Sequence, residues 1–239
     1  MKKIISMAAI LALACAASAQ AAVLVGFKLT GMPTSPTPTS AAATTVDTNL
    51  TAAPLTRGAG LTPSGLANGF SASDWNIATT SFADAQAAGD FYQLSFSVQP
   101  NATASLSSID SVLRRSSGAA VPNFQFAYSF DGFATQANAG SSFTFNIADS
   151  NGAIAPSVDL TSVTALQNIA GGTTVTLRLL AYGSTTTTST LAIGRQSSVA
   201  GSGVANDLAI NGTTAVPEPT TLAVVALAGT TLALRRRRA

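Results

Sequence analysis

The middle of the chain, residues 20–215, alternates apolar and polar positions with the two-residue period of β-strands. The clearest run is 91–98, in which Tyr92, Leu94, Phe96 and Val98 share one face. Because successive side chains of a strand point to opposite faces, such a run presents one apolar face to a core. Similar or shorter runs predict further strands at residues 23–30, 105–114, 124–130, 143–147, 158–163, 175–180, 190–193 and 207–210.

Turn signals separate these runs. Asp131-Gly132, Asn151-Gly152 and Asn211-Gly212 are dipeptides of the kind found in tight turns. Residues 81–88 are expected to form a short helix or an irregular loop, and residues 32–56 a long loop rich in Pro, Thr and Ser. We therefore predict an all-β fold, a single antiparallel β-sandwich of jelly-roll-like type. Its first strand, 23–30, is expected to pair with its last, 207–210.

The N-terminus has the three parts of a secretory signal peptide. Lys2 and Lys3 precede an apolar run, residues 4–17, and the small-residue pattern Ala17-Ser18-Ala19 follows. We predict a signal helix over residues 1–19, handled by the secretion translocon and cleaved after Ala19. A buried N-terminal helix and lipidation at Cys15 are the alternatives, although Ala12 stands where a lipoprotein signal has leucine. Cleavage would leave no cysteine, so stability would depend on a packed core.

The C-terminus is also tripartite. Val216-Pro217-Glu218-Pro219 is followed by an apolar segment, residues 220–234, and then by Arg235, Arg236, Arg237 and Arg238. This arrangement resembles the PEP-CTERM sorting signal, and the similarity covers residues 216–239. The resemblance implies a bacterial protein recognised by exosortase, a membrane-embedded processing enzyme, and exported to the cell envelope or extracellular matrix.

The length of the apolar segment favours a transient membrane anchor. A helix of 15 residues spans ~22 Å, which is less than the ~30 Å hydrocarbon core of a bilayer. The arginine tail is expected to stop on the cytoplasmic side. We therefore predict a short transmembrane helix that is later removed; a permanent tail anchor is the alternative.

The basic character of the chain belongs to its two ends. Residues 20–215 carry six basic and nine acidic side chains, a net charge of −3, so nothing indicates a nucleic-acid partner. The chain has no histidine, which excludes Ser-His-Asp and Cys-His catalysis. We expect a non-enzymatic protein with no cofactor. Structural calcium is an alternative, with Asp149 and Asp207 as candidate ligands.

A second resemblance covers about residues 23–212. It is carried by these motifs: Thr56-Arg57-Gly58-Ala59-Gly60-Leu61, Trp75, 90–96, Leu113-Arg114-Arg115-Ser116 and Phe130-Asp131-Gly132-Phe133. They resemble ectodomains that accompany PEP-CTERM tails. Those ectodomains are uncharacterised β-sandwich proteins, so the resemblance implies a fold and no activity.

Four side chains are candidate ligand contacts. Trp75 and Tyr182 suit stacking on sugar rings, although a lone tryptophan more often belongs to a core. Arg114 and Arg115 suit recognition of an anionic sugar. Adjacent residues of a strand face opposite ways, so one arginine is expected at the surface and the other as a strand-end partner of an aspartate.

These observations leave three functional hypotheses. The first is an exported, non-enzymatic envelope or matrix protein whose partners include a polysaccharide matrix. The second is a carbohydrate-binding or adhesive module, which requires a shallow aromatic groove. The third is a polysaccharide hydrolase, which requires two adjacent aspartates in a cleft.

Overall fold

The structure is a computed structural model that describes residues 21–216. The predicted signal helix with Ala17 and Ala19, and the predicted C-terminal helix with Pro217, Glu218, Pro219 and Arg235–Arg238, lie outside the described residues. Within residues 21–216 no helix is long and apolar enough to span a membrane.

The described residues form 17 strands, one α-helix and two 3₁₀ helices. In chain order these are β1 Ala22–Phe27, β2 Thr45–Val46, β3 Leu50–Ala52, β4 Thr56–Arg57, β5 Thr62–Ser64, β6 Gly69–Ser73, α1 Phe82–Ala88, β7 Phe91–Val98, β8 Thr103–Arg115, β9 Asn123–Ser129, β10 Ala137–Asn138, β11 Phe143–Thr144, β12 Ala153–Ile154, β13 Val158–Asp159, a 3₁₀ helix Thr164–Leu166, β14 Ile169–Ala170, β15 Thr174–Tyr182, β16 Leu191–Gly194, a 3₁₀ helix Gln196–Ser198 and β17 Leu208–Ala215. Residues 21–216 are therefore mostly β, as predicted for this part of the chain.

The strands form two antiparallel sheets. The larger has the order β2-β1-β17-β8-β16-β6-β5, and β12, β13 and β14 also pair with β8. The smaller has the order β10-β9-β15-β7-β3, with β11 pairing with β9 and β4 with β7. The edge strands of both sheets have only two or three residues. Short edges expose few unpaired backbone groups, so they limit edge-to-edge association.

The first and last strands are neighbours, as predicted. β1 pairs with β17 from Ala22 opposite Gly212 to Phe27 opposite Leu208. On its other side β17 pairs with β8. β17 is longer than the sequence predicts and ends at Ala215, opposite Thr103. Both ends of the folded domain therefore meet in the larger sheet.

One hydrophobic cluster contains the inward side chains of both sheets. The apolar face predicted for 91–98 is correct: Tyr92, Leu94, Phe96 and Val98 are all buried in this core. A second, smaller cluster lies on the opposite face of β7, β9 and β15, where Phe82 and Phe133 cover Phe91, Ala127 and Leu180. The outer face of the smaller sheet is therefore partly apolar, which simple alternation does not predict.

The helix predicted over 81–88 as one of two alternatives is present as α1. The Ser81 hydroxyl accepts a hydrogen bond from the Asp84 amide at 3.1 Å, which caps the first turn. Gly89 ends the helix in the left-handed region, at φ 83°. These caps compensate for its length of only seven residues.

Two predicted strands are shorter than expected. The strand predicted at 143–147 is only Phe143–Thr144, because the next partner along β9 would be Pro122, which has no amide hydrogen to donate. The strand predicted at 158–163 ends at Asp159, whose carboxylate accepts hydrogen bonds from the amide and hydroxyl of Thr161. That local turn diverts the chain from the sheet.

The loop predicted over 32–56 is correct only in its first part. Its second part forms β2 and β3, and β4 begins at Thr56. Leu50 and Leu55 are buried in the main core. These apolar anchors account for the short strands, because each is buried only when its segment lies against a sheet.

Two glycines of the 56–61 motif allow this segment to pack against the end of α1. A β-carbon on Gly58 would lie 2.1 Å from the carbonyl oxygen of Gly89, and one on Gly60 would lie 2.2 Å from that of Ala88. Both distances are far shorter than any normal contact, and both neighbours are backbone atoms. The glycines of this motif are therefore required for packing.

We expect Gly58→Ala to lower the free energy of unfolding by about 2–3 kcal/mol, because the added methyl group forces two backbone segments apart. Gly118→Ala is the matched control, since a β-carbon there meets nothing within 4 Å. Urea denaturation of the two variants measures the difference. Equal stability of the two variants would contradict this packing role.

Candidate functional site

Trp75 belongs to the core, so it is not a sugar-stacking platform. The side chain is 0% exposed, and its indole packs edge-on against Tyr92 with ring centroids 5.7 Å apart. Its Nε1–H donates a hydrogen bond to the carbonyl oxygen of Ala72 at 3.1 Å. Of the two interpretations of this tryptophan, the structure shows the core one. A ligand has no access to the ring.

The arginine of the 56–61 motif is also used internally. The Arg57 guanidinium lies 3.5 Å from the centroid of the Phe70 ring. Its Nε–H donates to the carbonyl oxygen of Ser71 at 2.9 Å, and Nη1 donates to that of Pro38 at 2.8 Å. Burial lowers the pKa of Arg57. The motif thus joins β4 to β6 and to the 32–40 segment.

Tyr182 is half-buried at the end of β15. Its ring packs edge-on against Phe82 of α1, with centroids 4.9 Å apart. This contact holds the short helix against the smaller sheet. The predicted sugar-stacking residues therefore occupy two different environments, one in the main core and one under α1.

Arg114 and Arg115 face opposite sides of β8, as predicted. Arg115 is 2% exposed, and its Nη2 donates hydrogen bonds to the carbonyl oxygens of Gly118 and Ala120. The prediction of an aspartate partner for the buried arginine is wrong, because Arg115 binds backbone carbonyl oxygens of the turn after β8 instead. Arg114 is half-buried on the outer face, where its Nη1 donates to the Thr190 hydroxyl at 3.1 Å.

The structure places a further arginine, Arg195, near Arg114. It follows β16, and Nη1 donates to the carbonyl oxygen of Ser150 at 2.6 Å. Burial, and to a smaller extent the charge of Arg195, lowers the pKa of Arg114. Arg195 has φ 91°, a conformation that is uncommon for a residue with a side chain. In the pairing of β16 with β8, Ala192 lies opposite Arg114, and Arg195 follows three residues later.

The two calcium candidates have different environments. Asp149 is exposed in a turn and accepts a hydrogen bond from the Asn151 amide. Asp207 is fully buried and accepts hydrogen bonds from the amides of Leu29 and Ser197, both at 2.9 Å, and from the Ser197 hydroxyl. Its carboxylate therefore faces hydrogen-bond donors. Across residues 21–216 no group of three or more His, Cys, Asp or Glu side chains is placed to hold a metal ion.

The 130–133 motif forms a stack over the outer face of the smaller sheet. The Arg178 guanidinium lies between two rings, 4.0 Å from the centroid of Phe91 and 3.8 Å from that of Phe133. Its Nε–H also donates to Gln93 Oε1 at 2.7 Å. Phe133 has φ 73°, and its amide donates to the Ser129 hydroxyl at 2.8 Å.

Asp131 fixes the loop that presents Phe133. Hydrogen bonds from the Thr135 hydroxyl and amide and from the Ser129 hydroxyl lower the pKa of Asp131 to about 2. The motif is therefore a turn that places an aromatic ring over an arginine. Its signal in the sequence is the Asp-Gly dipeptide, although seven residues, not two, separate β9 from β10.

We expect Phe133→Ala to lower the free energy of unfolding by about 1–2 kcal/mol through loss of the cation–π contact. Phe133→Tyr keeps an aromatic ring in the same backbone conformation and should stay near the wild type. Thermal unfolding of the two variants measures the effect. If Phe133→Tyr is as unstable as Phe133→Ala, the ring contact is not the cause.

A groove lies between the β10–β11 segment of the smaller sheet and β13 of the larger sheet. Its volume is about 500 Å³. It is lined by Asn138, Gly140, Ser141, Ser142, Phe143, Pro156, Ser157, Val158, Asp159, Ser162 and Val163. Phe143 stacks on Phe124 with one face, at 5.4 Å between centroids. The lining offers hydroxyl and amide groups, one aromatic ring and a single carboxylate, which suits an uncharged, hydroxylated ligand.

Asp90 is a buried carboxylate at the start of β7. Its side chain is 1% exposed, Oδ2 accepts a hydrogen bond from the Asn76 amide at 2.9 Å, and Oδ1 has no partner within residues 21–216. Burial raises the pKa of Asp90 despite that hydrogen bond. The charged form is therefore destabilised in the folded state, and stability decreases as pH rises above the carboxyl's ordinary pKa of about 4.

Asp90→Asn removes this titration. We expect the stability of the variant relative to the wild type to improve as pH rises from about 3 to about 7. Asp84→Asn is the opposite control, because hydrogen bonds from Ser81 and Thr80 lower the pKa of Asp84. Its relative stability should worsen over the same range. Urea denaturation across this range measures both trends, and parallel curves for Asp90→Asn and the wild type would contradict the assignment.

Comparison with known proteins adds no assignment. No family model, no curated protein and no solved structure matches this chain.

Proposed function

We propose that this chain is an exported, non-enzymatic protein of the cell envelope or extracellular matrix. In this proposal residues 1–19 direct secretion through the translocon, and residues 216–239 form a PEP-CTERM signal recognised by an exosortase. The observation that supports the proposal most directly is that the folded domain ends where the proposed sorting signal begins. β17 ends at Ala215, and the next residue, Val216, is 54% exposed and begins the Val-Pro-Glu-Pro motif.

The other end of the domain fits the same scheme. β1 begins at Ala22, three residues after the proposed cleavage site at Ala19. Ala22 pairs with Gly212, close to the end of β17. Removal of both signals would therefore leave both sheets and the core intact. The remaining domain would contain no cysteine and would depend on its two clusters of buried side chains.

We infer a jelly-roll-like β-sandwich flanked by a signal helix and by a short C-terminal transmembrane helix, which anchors the protein transiently. The four arginines of the tail would hold that helix at the cytoplasmic surface. The mature protein would then lodge at the envelope or in the matrix.

A second candidate function, a carbohydrate-binding or adhesive module, is favoured by the groove between the sheets. Phe143 offers an aromatic surface there, and serines and Asn138 offer hydrogen bonds to sugar hydroxyls. Hydrolysis is less favoured, because glycoside hydrolysis by the usual route uses two carboxyl groups and the groove is lined by one, Asp159.

The export proposal is tested by the mass of the mature protein in its host. We expect the wild type to lose the residues after about Pro217–Pro219. A triple variant, Pro217→Ala, Glu218→Ala and Pro219→Ala, should retain residues 220–239 and stay in the membrane fraction. Asp149→Asn is the control, since it changes an exposed carboxylate far along the chain from the motif. Identical C-termini in the wild type and the triple variant would refute processing at the motif.

A further inference from the structure

The domain contains three Asn-Gly dipeptides, and the structure places them in different environments. They are Asn68-Gly69, Asn151-Gly152 and Asn211-Gly212. An asparagine followed by glycine is especially prone to lose its side-chain amide, because glycine has no side chain to hinder ring closure onto its own amide nitrogen. The structure around each dipeptide then determines how readily it reacts.

Two of the three asparagine side chains are held by hydrogen bonds. Asn68 Oδ1 accepts one from the Gly31 amide at 2.7 Å. Asn211 Nδ2 donates to the Ser108 hydroxyl at 3.0 Å and to Asp110 Oδ2 at 2.6 Å. These bonds keep each side chain in one orientation, so bringing its carbonyl carbon onto the next amide nitrogen requires breaking them.

The glycines of those two dipeptides are also fixed in the larger sheet. Gly69 begins β6 and lies opposite Gly194 of β16. Gly212 lies in β17, opposite Ala22 on one side and Leu106 on the other. Freeing either amide nitrogen requires strands to separate, and opening of that kind costs a large part of the stability of a fold.

Asn151 lies in a different environment. Its side chain is exposed and has no hydrogen-bond partner within residues 21–216. The Gly152 amide donates to the carbonyl oxygen of Asp149 at 3.2 Å, within the same turn. Opening this turn does not require strands to separate, so it costs less free energy. Local motion of one loop therefore frees both the attacking nitrogen and the side chain that it attacks.

We propose that Asn151-Gly152 is a site of spontaneous deamidation. The Gly152 amide nitrogen loses its proton to solvent and attacks Cγ of Asn151. A C–N bond forms between them, the C–N bond of the side-chain amide breaks, and ammonia leaves with a proton from solvent. Water then opens the succinimide ring and is the only co-reactant. Hydrolysis at Cγ gives aspartate, and hydrolysis at the main-chain carbonyl carbon gives isoaspartate, in which the main chain runs through Cγ.

The products differ from the original turn in charge and in geometry. Either product adds one carboxylate to a turn whose Ser150 carbonyl oxygen accepts a hydrogen bond from Arg195. Isoaspartate also lengthens the main chain by one carbon atom. Little room exists for it, since a β-carbon on Gly152 would lie only 2.8 Å from the carbonyl oxygen of Gly194. The turn must therefore shift to accommodate isoaspartate.

Incubation of the full-length chain in detergent and mildly alkaline buffer tests the proposal, because base removes the amide proton. Peptide mass analysis at intervals measures the conversion of each asparagine. We expect Asn151 to convert at least about tenfold faster than Asn68 or Asn211, and isoaspartate to form along with aspartate. In concentrated urea the three sites should convert at comparable rates, because unfolding removes the contacts that distinguish them.

Two variants identify the reacting side chain. Asn151→Gln should prevent most of the slow accumulation of an acidic form of the protein, because glutamine must close a larger ring. Asn101→Gln is the matched control: Asn101 is exposed but precedes alanine, so this variant should accumulate the acidic form as fast as the wild type. Isoelectric focusing measures the acidic form, and thermal unfolding shows that both variants are folded. If Asn151→Gln does not fold, the rates at the three sites of the wild type decide the question.

Three outcomes would overturn the proposal. One is conversion of Asn68 or Asn211 as fast as that of Asn151 in the folded chain. Another is conversion of Asn151 in urea but not in the folded chain. The third is formation of aspartate without isoaspartate, which would exclude the succinimide route. None of them bears on export, which is measured by cell fractionation and C-terminal mass.

Discussion

The buried carboxylate of Asp207 holds together the part of the fold on which the rest depends. It receives hydrogen bonds from Leu29, just after the first strand, and from the amide and hydroxyl of Ser197. The segment after β1 and the 3₁₀ helix Gln196–Ser198 are thereby joined to the residue immediately before the last strand, which begins at Leu208. In a domain without disulfides, this junction closes the pairing of β1 with β17. It also fixes the 3₁₀ helix that follows Arg195 and so determines where that arginine lies.

Much of the fold follows from local patterns. Alternation at 91–98 indicates a strand with one buried face, and the position of Ser81 and Gly89 agrees with a short capped helix. β6 is not predictable in this way, because Gly69–Ser73 is made of small residues around one phenylalanine and nearly all of them are buried. The ends of β11 and β13 depend on Pro122 and on the Asp159 turn, which act only once the chain is folded.

The candidate sites are harder to predict than the fold, because a side chain can bind a ligand only if it is exposed, and the sequence alone does not show its exposure. Tryptophan and arginine often bind ligands. Here, however, Trp75 packs against Tyr92, and Arg115 donates hydrogen bonds to backbone carbonyls of a turn. Arg114 is a candidate from sequence, but its hydrogen-bond partner Thr190 is 76 positions away and is brought close only by the pairing of β16 with β8. Aromatic rings and backbone oxygens, rather than carboxylates, contact Arg57, Arg115 and Arg178.

The very short outer strands of both sheets have a consequence for association at high protein concentration. A chain of this kind gives neighbouring copies only two or three residues of ladder to extend, so fibre growth by strand addition finds little template. High local concentration is then tolerable without amyloid-like stacking. Contacts between copies would instead involve side chains on the broad faces of the sheets, where a substitution leaves the backbone pairing unchanged.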